Sequence, residues 1–275
     1  MQVSIVIPTY NRLSLALNLA KSIRKLYSDI EIVIVDQENS NPPKKVEISD
    51  VQYFNLKKAN TSAAKNLGWQ KSRREVVVFF DDDVEITKQT IEQHLTAYKD
   101  KNIVAIAGRV INDGQVVPKD TLVDTGKTNL LGTKFSYSFW STKEQNVDFP
   151  YGCNMSFRKS VLEKVKGFDE NFPKIFEEVD LGYRVKKHGL IKFIPQALAY
   201  HHKAKSGGIR PEEKLNKEKL IFENYGRYLA KNICFPLSFI SLLIRTITAL
   251  KINIKVVGDL WRGYFENFKF KILNF

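Results

Sequence analysis

The sequence predicts an α/β protein with a mostly parallel central sheet flanked by helices, extended at its C-terminal end by further helices. Three observations carry this. Short β-branched runs alternate with amphipathic segments of helical length over the first 110 residues, which is the pattern of strands joined by crossover helices. The run Val76-Val77-Val78-Phe79-Phe80 is apolar throughout, as a strand buried on both faces must be. Beyond Lys203 the pattern changes to long charged and apolar stretches with no strand signal.

Val3–Ile7 reads as the first strand, and Leu13–Leu26 as a helix with Leu13, Leu17, Ala20 and Ile23 near one face. Glu31–Val35 is a second strand ending at Asp36, and Val51–Phe54 a third. A helix over Thr61–Lys71, capped by Thr61, precedes the buried strand; Thr87–Tyr98 is the next helix and Ile103–Ala107 the next strand. Asn112 to Phe149 is polar and irregular. Helices return at Lys159–Lys166, stopped by Gly167, and Val179–Lys187, stopped by Gly189. Lys192–Ile194 is a last short strand ended by Pro195.

With 43% hydrophobic and 12% aromatic residues the composition is that of an ordered protein. Cys153 and Cys234 match no metal-ligand spacing and fit a reducing compartment. The start of the chain reads as a strand and not a signal peptide, so the sequence predicts a cytoplasmic protein. The net charge is +13, and residues 203–275 hold fourteen Lys/Arg against six Asp/Glu, a surplus of eight. Such a surplus suggests an anionic surface.

Glu212–Lys231 is charged and helical in pattern, and Ile233–Leu250 is almost wholly apolar with Pro236 and Arg245 inside it. An arginine in a span this short makes a bilayer crossing unfavourable by about 2.5–3.5 kcal/mol. Phe239, Leu242, Leu243, Ile247 and Leu250 fall on one helical stripe, and Ser238, Ser241, Arg245 and Thr248 on another. With Lys231, Lys251, Lys255 and Arg262 around it, this reads as an amphipathic helix lying on the cytoplasmic face of a membrane; packing on the core is the alternative.

Asp81, Asp82 and Asp83 follow the buried strand directly. Three like charges there repel one another unless a cation neutralises them. Strand carboxyl ends are where open α/β sheets bind ligands, and carboxylates suit Mg²⁺ or Mn²⁺ carrying phosphates.

Eight segments then occur in a telling order. They are Pro8-Thr9-Tyr10-Asn11-Arg12, Asp36, Ala64-Lys65-Asn66-Leu67-Gly68, Phe80-Asp81-Asp82-Asp83, Gly152-Cys153-Asn154-Met155-Ser156, Gly167-Phe168-Asp169-Glu170, Glu177-Glu178-Val179-Asp180-Leu181 and His201-His202. Together they strongly resemble the GT-A glycosyltransferases of family 2, particularly those that build bacterial surface polysaccharides, over about residues 2–205. The resemblance implies a GT-A catalytic domain over 1–210, with a nucleotide-sugar half to about residue 110 and an acceptor half after it. Residues 211–275 are then a basic helical extension.

The resemblance also implies roles. Pro8, Thr9, Tyr10, Arg12 and Asp36 would hold the base and ribose of a UDP- or dTDP-linked sugar, and Lys65 its phosphates. Asp83 would bind Mn²⁺ or Mg²⁺ directly and Asp81 the ribose or a metal-bound water; Asp82 stands at the variable position. His201 or His202 would complete the metal site, with His201 favoured because adjacent residues on a strand face opposite ways. Asn154 would line the donor and acceptor pocket beside Cys153. Glu178 stands where the inverting members carry an aspartate as general base, one methylene shorter; Glu177 and Asp180 are the other candidates. Ser206-Gly207-Gly208 would order over the donor as a lid. The acceptor would be a growing glycan, lipid-linked because the basic apolar tail would place the site near a membrane.

Other classes fit less well. A nucleotidyltransferase would carry a glycine-rich basic loop after the first strand, and a dinucleotide enzyme Gly-x-Gly-x-x-Gly; neither is present. No nucleic-acid reader motif accompanies the charge. A catalytically inactive scaffold of the same fold, binding nucleotide-sugar or membrane, is the remaining alternative.

Overall fold

A computed structural model of the chain describes residues 3–43, 46–118, 122–204, 207–208 and 214–272. Ser206 of the predicted lid, the 210/211 boundary and the start of the predicted helix at Glu212 lie outside them. The chain forms two compact units, one made of Met1–Gly126 and Tyr137–Ile209, the other of Lys127–Ser136 and Arg210–Phe275.

The first unit is built on one mixed sheet. Its parallel part comprises β1 (Val3–Tyr10), β2 (Glu31–Gln37), β3 (Val51–Leu56) and β4 (Val76–Phe80), in the order β3-β2-β1-β4. Helices α1 (Leu13–Leu26) and α2 (Thr61–Lys71) supply the crossovers. Every residue of β4 is buried, so each side chain contributes roughly 1.5–3 kcal/mol of burial. The sheet continues through β8 (Asn154–Arg158), β6 (Ile103–Asn112), β9 (Leu190–His201) and β5 (Val84–Ile86), with β7 (Gln145–Val147) pairing β9. Here β8 runs antiparallel to β4 and β6, while β6 and β9 are parallel. Helices α3 (Lys88–Ala97), α4 (Lys159–Val165) and α5 (Glu177–Val185) complete the unit.

Several boundaries differ from expectation for identifiable reasons. Strand β1 runs on to Tyr10, so Pro8 and Thr9 are strand residues and not loop. Pro8 is tolerated because the β4 ladder ends at Val6–Phe79, leaving no bond for a missing N–H to break on that side. Helix α2 is capped by Asn60, whose side chain accepts from the Ala63 N–H at 3.0 Å, and not by Thr61. Pro195 does not end β9. The pairing with β6 jumps from Gly108–Ile194 to Arg109–Leu198, so Pro195, Gln196 and Ala197 form a bulge, where a strand accepts proline.

The second unit contains α6 (Lys214–Asn232), α7 (Leu237–Ile252) and α8 (Val257–Ile272). Helices α6 and α8 cross at two glycines. A Cβ on Gly226 would lie 2.0 Å from Leu260 O, and one on Gly263 would lie 1.9 Å from Glu223 O. Arg262 joins Glu223 to Asp259 beside this crossing, at 2.7 and 2.6 Å. The predicted stripes of α7 are present: Ser238 and Ser241 are buried, while Phe239, Leu243, Ile247 and Leu250 are exposed. Leu242, expected on the apolar stripe, faces inward. The polar stripe is satisfied within the unit. Ser238 Oγ meets Tyr264 OH at 2.9 Å, and Ser241 Oγ donates to Leu131 O at 2.7 Å. Arg245 donates to Thr133 O and lies 4.5 Å over the Tyr225 ring.

Candidate active site

Because β1, β2 and β4 are parallel, their carboxyl ends open on the same edge, delivering Thr9, Asp36 and Asp81–Asp83 together. Asp36 is buried, and its Oδ2 accepts from Asn39 Nδ2 at 2.7 Å and Tyr53 OH at 2.9 Å. Asp82, after β4, ties that strand end to the end of β1. Its Oδ2 accepts from Thr9 Oγ1 at 2.5 Å, and Arg12 lies 2.5 Å from its Oδ1. Burial pushes the Asp82 carboxyl up to about 7 against the opposing pull of Thr9 and Arg12. Tyr10 donates to Glu38 at 3.0 Å, and its backbone O accepts from Gly208 N–H. A Cβ on Gly207 would lie 2.3 Å from Arg12 Cγ, so the two glycines, both at positive φ, allow this close approach to Arg12.

Asp81, Asp83 and His201 bring three potential metal-ligating atoms within 4.8 Å of one another. Asp83 Oδ2 accepts from Arg12 Nη1 and Ala204 N–H, both at 2.9 Å. Burial disfavours its charge, but the His201 ring, Ala204 N–H and Arg12 outweigh that and hold the carboxyl well below its ordinary range. Asp81, by contrast, is raised, chiefly by burial. Asn112 Nδ2 donates to Gln115 at 3.0 Å, which turns Asn112 Oδ1 toward His201 Nδ1, also at 3.0 Å. With Nδ1 taken up by Asn112, Nε2 faces Asp83 Oδ1 at 3.2 Å, a buried oxygen with no well-directed hydrogen bond. An imidazole nitrogen and two carboxylates around one gap are a donor set that fits Mn²⁺ or Mg²⁺.

A second acidic pair lies near Asp81, linked to it electrostatically through Lys65. Helix α2 is pinned to the segment before α5: Ser62 Oγ donates to Phe172 O at 2.5 Å, and Asn66 Nδ2 donates to Phe168 O at 2.9 Å. This sets buried Lys65 3.1 Å from Glu177. Burial works against both charges. The pair overrides it, holding the Lys65 ammonium up and the Glu177 carboxyl down. Glu178 is pushed the other way, well above the carboxylate range, first by burial and then by the Glu177 charge. Ile175 and Phe176 enter α5 at φ of 65° and 72°, a conformation costing non-glycine residues about 1–3 kcal/mol each and typical of functional sites. Gly152 leaves this space open, since a Cβ there would lie 3.4 Å from Lys65 Nζ and 4.0 Å from Glu177 Oε1.

Three expected site residues are placed elsewhere. Asn154 is fully buried and its amide is spent: its Oδ1 accepts from His94 Nε2 at 2.8 Å, and its Nδ2 donates to Arg109 O at 2.9 Å and Ala197 O at 2.8 Å. It is a packing element of the β6–β9 bulge and offers no group to a ligand. Asp180 is fully buried and accepts from Arg184 at 2.7 and 2.9 Å, so its carboxylate is committed to that pair. His202 points away from the cluster, toward Asp113 at 3.1 Å and Glu85 at 3.3 Å. Cys153 is buried and its thiol pushed well up by burial, which suits no nucleophile. The residues the sequence reading missed act on other residues: Asn112 orients His201, and Tyr53 and Asn39 hold Asp36. None of the three carries a spacing or motif in the sequence that marks it.

The sequence model for glycosyl transferase family 2 matches residues 4–166. The O-antigen biosynthesis protein RfbC of Myxococcus xanthus is 23% identical over 232 residues, covering 74% of this chain and 18% of that protein. The N-acetylglucosaminyl-diphospho-decaprenol L-rhamnosyltransferase of Mycobacterium tuberculosis is 32% identical over 117 residues, covering 38% of each. This chain thus spans less than two thirds of the curated relatives it matches. Among solved structures, S. aureus TarS 1-349 in complex with UDP-GlcNAc superposes with a TM-score of 0.64 at 15% identity, over 96% of this chain and 79% of that one, a likeness of fold. Since the family match takes in well over half of the 275 residues and includes all the strand-end carboxylates, this chain belongs to glycosyl transferase family 2.

Proposed function

We propose that the protein is a metal-dependent, inverting glycosyltransferase that moves a sugar from a UDP- or dTDP-linked donor to a hydroxyl of a growing bacterial surface glycan. The observation that carries this reading is the meeting of two acidic groups with opposite chemistry. Asp81, Asp83 and His201 form a hard-cation donor set, and the Glu177–Glu178 pair beside it has its two pKa values driven apart. Such separation is how one site keeps a carboxylate for charge stabilisation and another for proton transfer.

In this reading Asp36 accepts from the base, and Thr9, Tyr10 and Arg12 border the ribose and phosphates. A divalent cation held by Asp81, Asp83 and His201 would supply Lewis-acid stabilisation of the charge on the departing diphosphate. Lys65 holds Glu177 ionised and adds positive potential on the same side. The acceptor oxygen attacks the anomeric carbon in line, the bond to the diphosphate breaks, and Glu178 takes the acceptor proton. One in-line displacement inverts the anomeric centre. The O-antigen biosynthesis protein and the N-acetylglucosaminyl-diphospho-decaprenol L-rhamnosyltransferase among its relatives support a glycan acceptor, here read as lipid-linked and met at the cytoplasmic face of a membrane.

The test is a turnover screen of the purified protein with UDP-, dTDP- and GDP-sugars, with and without Mn²⁺, reading released nucleoside diphosphate. Metal-dependent turnover of one donor, lost in Asp83→Ala and Glu178→Ala, is expected. Nucleotide binding with no turnover for any acceptor would favour the inactive scaffold, and no nucleotide binding would sink the proposal.

A further inference from the structure

Helix α7 is built inside out. A helix at a protein surface ordinarily buries its apolar stripe and shows its polar one; here Ser238, Ser241 and Arg245 turn inward to fixed partners. Outward lie Ile240, Leu243, Ile247 and Leu250, spaced at three and four residues, with Ile247 57% exposed. Phe239 and Ile244 flank the stripe, and Phe235 and Ile254 extend it at either end, 65% and 70% exposed. Trp261 packs edge-on to Phe239 and tilted against Phe265, with centroids 6.4 and 5.6 Å away, while its indole N–H donates to Thr246. A contiguous apolar face of this kind marks an interaction surface.

The charge around the face says what covers it. From Asn224 to Gly258 the chain has no Asp/Glu; of its five Lys/Arg, Arg227 is buried against Glu223 and Arg245 turns inward, so the outward charge of this segment is that of its lysines. Lys251 and Lys255, where the stripe ends, are exposed. A second copy pressed against this face would bring like charges together, whereas an anionic bilayer would neutralise them while its acyl chains receive the stripe. At 16 residues α7 is too short to cross the hydrocarbon core, and no helix among the described residues is long and apolar enough to do so.

We infer that the outward face of α7, from Phe235 to Ile254, is an interfacial lipid-binding surface that lies in the plane of an anionic membrane, with Lys251 and Lys255 meeting its headgroups. This deepens the membrane-side reading of the acceptor given above and would bring the catalytic unit to a lipid-linked substrate.

The full chain is floated with phosphatidylcholine vesicles containing or lacking phosphatidylglycerol, at low and high salt. Binding to the anionic vesicles, weakened by salt, is expected. Exchanging exposed side chains, Leu243→Gln with Ile247→Gln should cut partition at least ~10-fold without lowering the melting temperature, because water already wets them. Lys251→Gln and Lys255→Gln should each cost about fivefold on anionic vesicles alone. The inference is overturned if the wild type floats with neither vesicle, if it floats equally with both, or if the apolar double variant floats as the wild type does. It is also overturned if sedimentation reveals a dimer that this double variant dissolves and vesicles do not. Nucleotide binding is followed on the same samples: vesicle binding without it would sink the transferase reading and leave this surface standing.

Discussion

Glu177 and Glu178 are chemically alike and adjacent, yet Lys65 makes them opposites. Glu177 ends in an ion pair at 3.1 Å inside the protein. Glu178 carries the cost of burial beside that charge and binds a proton more tightly. Replacing Glu177 with Gln therefore leaves Lys65 buried and unpaired, and unfolding measurements should register a loss of about 3–5 kcal/mol. Replacing Glu178 with Gln removes an unfavourable buried charge, so stability should hold or rise at neutral pH while kcat falls by roughly 10²–10⁴ with little change in donor KM. A base must be deprotonated to act. With its pKa raised, Glu178 should give a pH–rate profile that climbs with pH and whose acidic limb lies above the ordinary carboxylate range. A limb at the ordinary carboxylate position would point to a different base.

At the level of elements, two contacts fix geometry that side-chain chemistry then uses. The β9 bulge at Pro195–Ala197 is plugged by Asn154, which is itself held by His94. Beyond the bulge the same strand carries His201 to Asp83. Burial lowers His94 to about 4 from its usual 6.5, so the folded state holds the neutral ring. The stability from this is complete above about pH 6.5 and is lost as pH falls through about 4, by up to about 3 kcal/mol. Melting temperature against pH, compared with His94→Gln, should show that acid limb flattened in the variant. The α6–α8 crossing is the second contact. Alanine at Gly226 or Gly263 would set a methyl within 2.0 Å of a facing carbonyl, and either change should destabilise the C-terminal helices by about 1–3 kcal/mol, read by chemical denaturation.

For the molecule as a whole, ligand binding and folding are linked. A cation that binds only the folded state at a hundredfold excess over its Kd adds about 2.7 kcal/mol, or roughly 5–10 °C in melting temperature for a unit of this size. Mn²⁺ with UDP should therefore raise the melting temperature of the wild type, and Asp83→Asn should abolish the rise. The same shift in Asp83→Asn would place the cation elsewhere. The second unit carries its own logic. Residues 127–136 belong to it although they stand in the middle of the chain, where Phe135 packs on Tyr225 and Tyr228 with centroids 6.0 and 5.6 Å away.

What the sequence determined by itself is what periodicity and local chemistry encode. The buried strand β4 was legible because five consecutive apolar residues allow no solvent face, and the aspartates after it because strand ends in such sheets face ligands. The order of the motifs likewise led to the family that the match over residues 4–166 shows. Tertiary structure alone decided which polar groups are free. Asn154 and Asp180 stand in motifs, but His94 and Arg184 consume them from positions 60 residues away and one helical turn on. The opposed fates of Glu177 and Glu178 depend on Lys65, 112 residues earlier. The two stripes of α7 could be read from spacing, yet which one faces inward could not. A helical wheel fixes which residues share a face; the direction of that face is set by partners such as Leu131, Thr133 and Tyr264, which lie more than 20 residues away along the chain.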